Sequence, residues 1–156
     1  MPARTRFLRA ATVTGSCLLL LAGSAGATAA RTQLFTIAID LDTNTETVTS
    51  SSGALCPTGA AVSDFHFGAG NFNQAGTFHL AKLITCADGS GSFVIAVNAG
   101  SNFVVGNGTT GGWGVVPGSG TGDYAGLSGG GSVVGIDSSV PPIDLVDHYY
   151  GSLRLP

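Results

Sequence analysis

From Phe35 to Asp42 the chain alternates without a break. Phe35, Ile37, Ile39 and Leu41 are large and apolar, while Thr36, Ala38, Asp40 and Asp42 are smaller or polar. A period of two puts successive side chains on opposite faces of an extended strand, so this segment is predicted to be β with one face turned to a core. Phe93, Ile95 and Val97 repeat the pattern, and further strands are predicted over 61–67, 77–86, 103–105, 113–116, 132–136 and 143–155. Asp88-Gly89 and Asn107-Gly108 between these runs are turn dipeptides, because both positions tolerate positive φ. Pro141-Pro142 stops strand pairing before the last segment, and 68–76 reads as a surface loop. No segment keeps a helical period over useful length. Short strands at regular spacing imply one all-β domain, an antiparallel sandwich or barrel.

The first thirty residues stand apart. Arg4, Arg6 and Arg9 precede an apolar run that peaks over Cys17-Leu18-Leu19-Leu20-Leu21-Ala22, and Ala27-Thr28-Ala29-Ala30 follows. This is the pattern of a secretory signal peptide over 1–30 with cleavage near Ala30, its apolar core shorter than the roughly 20 residues of a spanning helix. The domain is therefore expected over 31–156, in an extracellular protein with no membrane attachment after cleavage. Beyond Ala30, three basic residues (Arg31, Lys82 and Arg154) stand against nine acidic ones, a net charge of −6. So few and so scattered cations argue against nucleic acid or an anionic membrane surface as partner. Two cysteines remain, Cys56 and Cys86, and an oxidising compartment makes them a disulfide. Closing a loop of this length stabilises a fold by roughly 3–4 kcal/mol in the chain-entropy model.

Several motifs invite chemistry. Gly120-Thr121-Gly122-Asp123-Tyr124-Ala125 matches the relaxed dinucleotide fingerprint, which needs a helix to follow it. Gly126 and Gly129-Gly130-Gly131 follow instead, each costing a helix about 1 kcal/mol, so no cofactor is expected. Gly126-Leu127-Ser128-Gly129-Gly130 spells a nucleophile elbow, but that device needs a large α/β sheet. Glycines also let strands bend and approach closely, as the corners of a small closed barrel require. On that reading Tyr124 and Leu127, three residues apart, point the same way from one helical turn and plug the barrel's end. Asp40 to Glu46 begins like a calcium loop, but Thr45 and Ser51 occupy the places of its glycine and its bidentate glutamate, so a hairpin turn is expected. His66, His79 and His148 alternate against apolar neighbours and are expected to face solvent, with no metal site. Tyr149 and Tyr150 must point to opposite faces of their strand. Asn107-Gly108-Thr109 is a formal glycosylation sequon, read here as a turn.

The run from Trp113-Gly114-Val115-Val116 through Gly118-Ser119-Gly120-Thr121-Gly122-Asp123-Tyr124-Ala125-Gly126-Leu127-Ser128-Gly129-Gly130-Gly131 resembles the hallmark of allene oxide cyclase barrel-like and dirigent-like proteins. There a glycine-rich run joins two strands of an eight-stranded antiparallel barrel. The resemblance implies that fold, with about eight strands, and two chemistries. Plant cyclases of this kind isomerise an unstable fatty-acid epoxide, and dirigent proteins steer the coupling of phenoxy radicals. No catalytic residue of either kind is carried onto this chain. The function expected first is binding of a small apolar molecule in or at the mouth of the barrel, lined or plugged by Phe35, Phe93, Trp113, Tyr124 and Tyr149. The alternatives are an isomerase or cyclase, with Asp123, Asp137 or a tyrosine moving a proton, and a non-catalytic cell-surface or structural protein.

Overall fold

The computed structural model describes residues 32–71, 74–101, 108–138 and 144–155. Among the described residues eight strands follow one another: β1 (Gln33–Asp40), β2 (Thr45–Ser50), β3 (Thr58–Asn71), β4 (Gln74–Cys86), β5 (Ser92–Ser101), β6 (Thr109–Val115), β7 (Ser128–Asp137) and β8 (Leu145–Arg154). Each pairs antiparallel with the next, and β8 returns to β1, so the ladder runs round a closed barrel. Closure leaves no strand edge to be covered or blunted. The predicted alternation is what fills the interior: Phe35 and Ile37, then Phe93, Ile95 and Val97, are all buried inward-facing residues.

The first strand ends before its apolar pattern does. β1 ends at Asp40, whose Oδ1 accepts a hydrogen bond from Thr43 N at 3.0 Å, and the chain turns through Asn44 at φ 53°. Leu41 is consequently 69% exposed and belongs to the turn. The region 68–76 is also not a plain loop. β3 and β4 carry their pairing out to Asn71 and Gln74 by way of register shifts after Phe67 and Ala69. A bulge lets pairing continue where strict alternation has failed, and Gly70 at φ 80° supplies the backbone freedom. The leader over 1–30, the strand over 103–105, Asn107 and the Pro141-Pro142 break lie outside the described residues.

One end of the barrel is shut. Between β6 and β7 a 3-10 turn, Gly122–Tyr124, buries Tyr124 and Leu127 beneath the strand ends. The Tyr124 ring lies 5.3 Å from that of Phe93, and its hydroxyl accepts a hydrogen bond from Cys56 N at 2.8 Å. Cys56 is joined in turn to Cys86 at the end of β4, so the expected disulfide ties the β2–β3 connection to the same end. The glycine-rich stretch makes this possible in two ways. Gly122 sits at φ 58° with room for no side chain, since a Cβ there would come within 2.2 Å of Ser90 O. Gly131 and Gly151 stand beside Trp113 in register, and the indole Nε1 reaches across β7 to donate to Tyr150 O at 3.1 Å. The run is a corner and a close approach of strands, and it opens no helix.

A Cβ on Gly131 would fall 1.9 Å from Tyr150 O, whereas one on Gly53 would meet nothing within 4 Å. Gly131→Ala should therefore destabilise the barrel by roughly 1–3 kcal/mol, as overpacking does, while Gly53→Ala leaves it nearly unchanged. Urea unfolding of the two variants beside the parent checks this, and equal midpoints would remove the close approach as the reason for the glycine.

Candidate functional site

Three inward positions are charged. Phe78, Leu80, Lys82 and Ile84 share one face of β4, Glu46 and Val48 one face of β2, and Asp147 and Tyr149 one face of β8. Barrel closure brings these walls together around Lys82. Its Nζ donates to Glu46 Oε2 at 2.7 Å and lies 3.8 Å from Asp147 Oδ2. The same Asp147 oxygen accepts a hydrogen bond from the Tyr149 hydroxyl at 3.3 Å. The lysine side chain is 2% exposed, while those of Glu46 and Asp147 are 12% and 10% exposed, so the carboxylates are the members nearest to solvent. Two buried atoms at the cluster make no hydrogen bond among the described residues: Asp147 Oδ1 and the hydroxyl of Ser63, the β3 residue paired with Lys82.

Burial dominates the electrostatics. It pushes the Asp147 carboxyl above its ordinary value; the neighbouring Lys82 charge and the Tyr149 hydroxyl offset only part of this. Tyr149 is pushed well above its ordinary value, first by burial and then by the Asp147 charge. A carboxyl held toward its neutral form beside a phenol that keeps its proton is a pair suited to donating hydrogen bonds or moving a proton. Burial of ions costs several kcal/mol each, and well-packed apolar residues are often as stable or more so. Packing alone does not call for charges here.

The cluster sits where the character of the lumen changes. Toward the plugged end the interior is filled: Phe35 stacks on Tyr149 at 4.5 Å, and Trp113 meets them edge-on at 5.5 and 5.8 Å. Toward the other end Ile39, Phe65 and Leu80 point inward yet remain only partly buried, with Phe65 stacked on Phe78 at 5.0 Å. Outside the plugged end lies a shallow pocket of about 260 Å³ between Leu55, Pro57, Asp88, Asp123 and Leu155, lined by no member of the charged cluster.

The five expected lining residues are all buried in the barrel, in two groups. Phe35, Trp113 and Tyr149 form one packed aromatic cluster, and Phe93 joins Tyr124 in the plug. Asp123 and Asp137, the acids expected to move a proton, are exposed on the plug turn and at the end of β7. The acids that do enter the lumen, Glu46 and Asp147, were not anticipated, nor were Lys82 and Ser63. The phase of β4 was the available signal, since one lysine stands among Phe78, Leu80 and Ile84 in a chain nearly devoid of lysine. His66 and His79 pair across β3 and β4 on the exposed outer face, hydrogen-bonded to Asp64 and Asn98, while His148 lies on β8 against Gln33. Tyr150 faces away from the lumen that holds Tyr149, as the alternation requires.

Fold and site together define a closed eight-stranded antiparallel barrel with an ion cluster across its interior. Set against protein-family models, curated proteins and solved structures, the chain matches none.

The folded state holds the Asp147 proton more tightly than the unfolded chain, whose carboxyl titrates near 3.8. The stability this proton contributes is present below that value and is lost as pH rises through the higher folded one. An Asp147→Asn variant has no such titration. Between about pH 4 and neutrality the urea midpoint of the parent should fall relative to that of the variant. A parent midpoint that climbs relative to the variant over this range would contradict the effect of burial.

Proposed function

We propose that this chain is an exported β-barrel that binds a small, mostly apolar molecule in the open half of its lumen, its polar end against Glu46, Lys82 and Asp147. The observation that carries the reading is the position of the cluster, beneath inward apolar side chains that are only partly buried. Small barrels hold a single ligand where their own side chains do not fill the interior, and a binding site combines an apolar wall with a few placed polar groups. Phe35, Trp113 and Tyr149 are its floor, and the Tyr124 plug with its disulfide keeps that floor rigid. The resemblance to allene oxide cyclase barrel-like and dirigent-like proteins belongs to this reading. Its support is a glycine run that joins two strands of a closed barrel.

A second reading is proton transfer on the bound molecule, in an isomerase or cyclase. Asp147 favours it, because its carboxyl is buried, shifted toward the neutral form and hydrogen-bonded to Tyr149. Binding is the prior requirement of both readings, so it is the step to test. The neutral dye N-phenyl-1-naphthylamine should bind with enhanced, blue-shifted fluorescence. Leu80→Trp, which fills the inward wall, should weaken that binding by roughly tenfold or more, whereas Val62→Trp on the outer face should not. Dye binding that is indifferent to Leu80→Trp places the ligand elsewhere.

Export is supported by the disulfide, which suits an oxidising compartment. N-terminal sequencing of protein recovered from the medium of an expressing bacterium should begin near Arg31. An intact Met1 on the recovered protein would remove the signal peptide from the reading.

A further inference from the structure

We infer that the pocket outside the plugged end is a site for a small organic cation: an amidinium, guanidinium or ammonium head on an apolar stem. It is separate from the lumen and does not depend on lumenal binding. Its volume, about 260 Å³, falls just below the ~300–1,000 Å³ of drug-sized sites, so it suits one ring or one long side chain. Leu55, Pro57 and Leu155 give it apolar walls, and Leu155 is 45% exposed. Its charged lining is all of one sign, Asp88 from the β4–β5 turn and Asp123 from the plug. One residue holds both acids in place. The Ser90 amide and hydroxyl donate to Asp88 Oδ1 at 2.9 and 2.6 Å, and the Ser90 carbonyl accepts from Asp123 N at 2.8 Å.

The hydrogen bonds around the pocket run toward its anionic side. Cys56 N donates to the Tyr124 hydroxyl at 2.8 Å. With the Ser90 proton spent on Asp88, the Tyr124 hydroxyl is the donor to Ser90 Oγ at 3.3 Å. This chain of donors starts in the disulfide-tied loop and ends at Asp88. The Ser90 hydroxyl, and then the Ser90 amide, hold that carboxyl below its ordinary value, so it carries its charge at neutral pH. Among the described residues the ion pairs are those of Lys82 and His66, so neither Asp88 nor Asp123 has a cationic partner. Arg154 precedes Leu155 in the chain and does not line the pocket. Two carboxylates beside apolar walls favour a cation whose stem covers Leu55 and Leu155, and disfavour an anion of the same shape.

The test uses benzamidinium, benzamide and benzoate, which share one ring and are cationic, neutral and anionic at about pH 7. Dissociation constants are read from backbone amide shifts in heteronuclear NMR spectra of the folded protein. Benzamidinium should bind roughly fivefold or more tighter than benzamide, with benzoate the weakest, and should shift the amides of Ala54, Asp88 and Asp123. Raising the salt from about 0.02 M to about 0.5 M should shrink that advantage, as it does for exposed charges. Asp88→Asn and Asp123→Asn should each weaken benzamidinium severalfold and leave benzamide unchanged. Asp42→Asn, in the turn at the other end of the barrel, should change neither. All three positions are exposed, so the variants should fold as the parent does, and the three ligands on the parent decide the matter if one does not. A capped tripeptide with arginine at its centre separates the two sources of such a cation. If it binds tighter than benzamidinium, the site takes a side chain of another protein; if weaker, a free small molecule; either supports the site. Benzamide binding as tightly as benzamidinium overturns the inference. So do benzamidinium shifts confined to residues away from the pocket, an affinity indifferent to both Asp88→Asn and Asp123→Asn, or no binding of benzamidinium at all. Each of these leaves lumenal binding standing.

Discussion

Closing a sheet on itself fixes the volume that its inward side chains must fill, and the rest of this structure follows from how unevenly they fill it. Eight paired strands give an interior that the chain cannot widen or flatten without breaking a ladder. In one half, aromatic rings take up the space. Trp113 is the clearest case, because its indole spans a neighbouring strand from which side chains have been removed, at Gly131, and finds a carbonyl on the strand beyond. The missing side chains and the largest one are one solution to a single packing problem. The plug extends that solution to the end of the barrel, where Tyr124 brings a ring to Phe93 and a hydroxyl to the backbone of a disulfide-tied loop.

The other half is filled differently. A barrel built for stability alone would continue with aliphatic residues past Ile84 and Ile95, at little cost and with no ions to desolvate. This chain places a lysine at that level and answers it with two carboxylates from other walls. The stability given up there is affordable because the plugged half carries the packed core. The interior is thereby divided into a closely packed aromatic end and an end where a buried ion cluster lies below apolar side chains that are only partly buried.

The alternation of Phe35 to Ile39 and of Phe93 to Val97 made the strands legible, because half-buried strands must carry it. The plug was legible too, since Tyr124 and Leu127 are the only large side chains among glycines and had to find a core. The limits of the pattern show in Leu41, where an acid cap and a turn ended the strand two residues early, at Asp40, and in 68–76, where bulges carried pairing through a glycine-rich segment. The charged cluster was not legible. It is made by strands 36 and 65 residues apart in the chain, Glu46 to Lys82 and Lys82 to Asp147. No local spacing marks a contact that exists only once the barrel closes. Phase alone could have nominated Lys82, and nothing in its neighbourhood named its partners.

The three ions are not equivalent, and their inequality is what gives the site direction. Lys82 leans to Glu46, hydrogen-bonded at 2.7 Å, and reaches Asp147 only as an ion pair at 3.8 Å. Asp147 is thus the under-compensated member, buried with one oxygen tied to Tyr149 and the other untied. That geometry accounts for why burial prevails over attraction at this carboxyl. It also separates two roles that a symmetric bridge would merge: Glu46 anchors the lysine, and Asp147 is left with one oxygen that makes no hydrogen bond among the described residues. A lysine centred between the two acids would satisfy both and leave the lumen with a structural strut. Displaced as it is, it leaves Asp147 Oδ1 buried without a hydrogen bond against Gly135, where a Cβ would fall 2.5 Å from it.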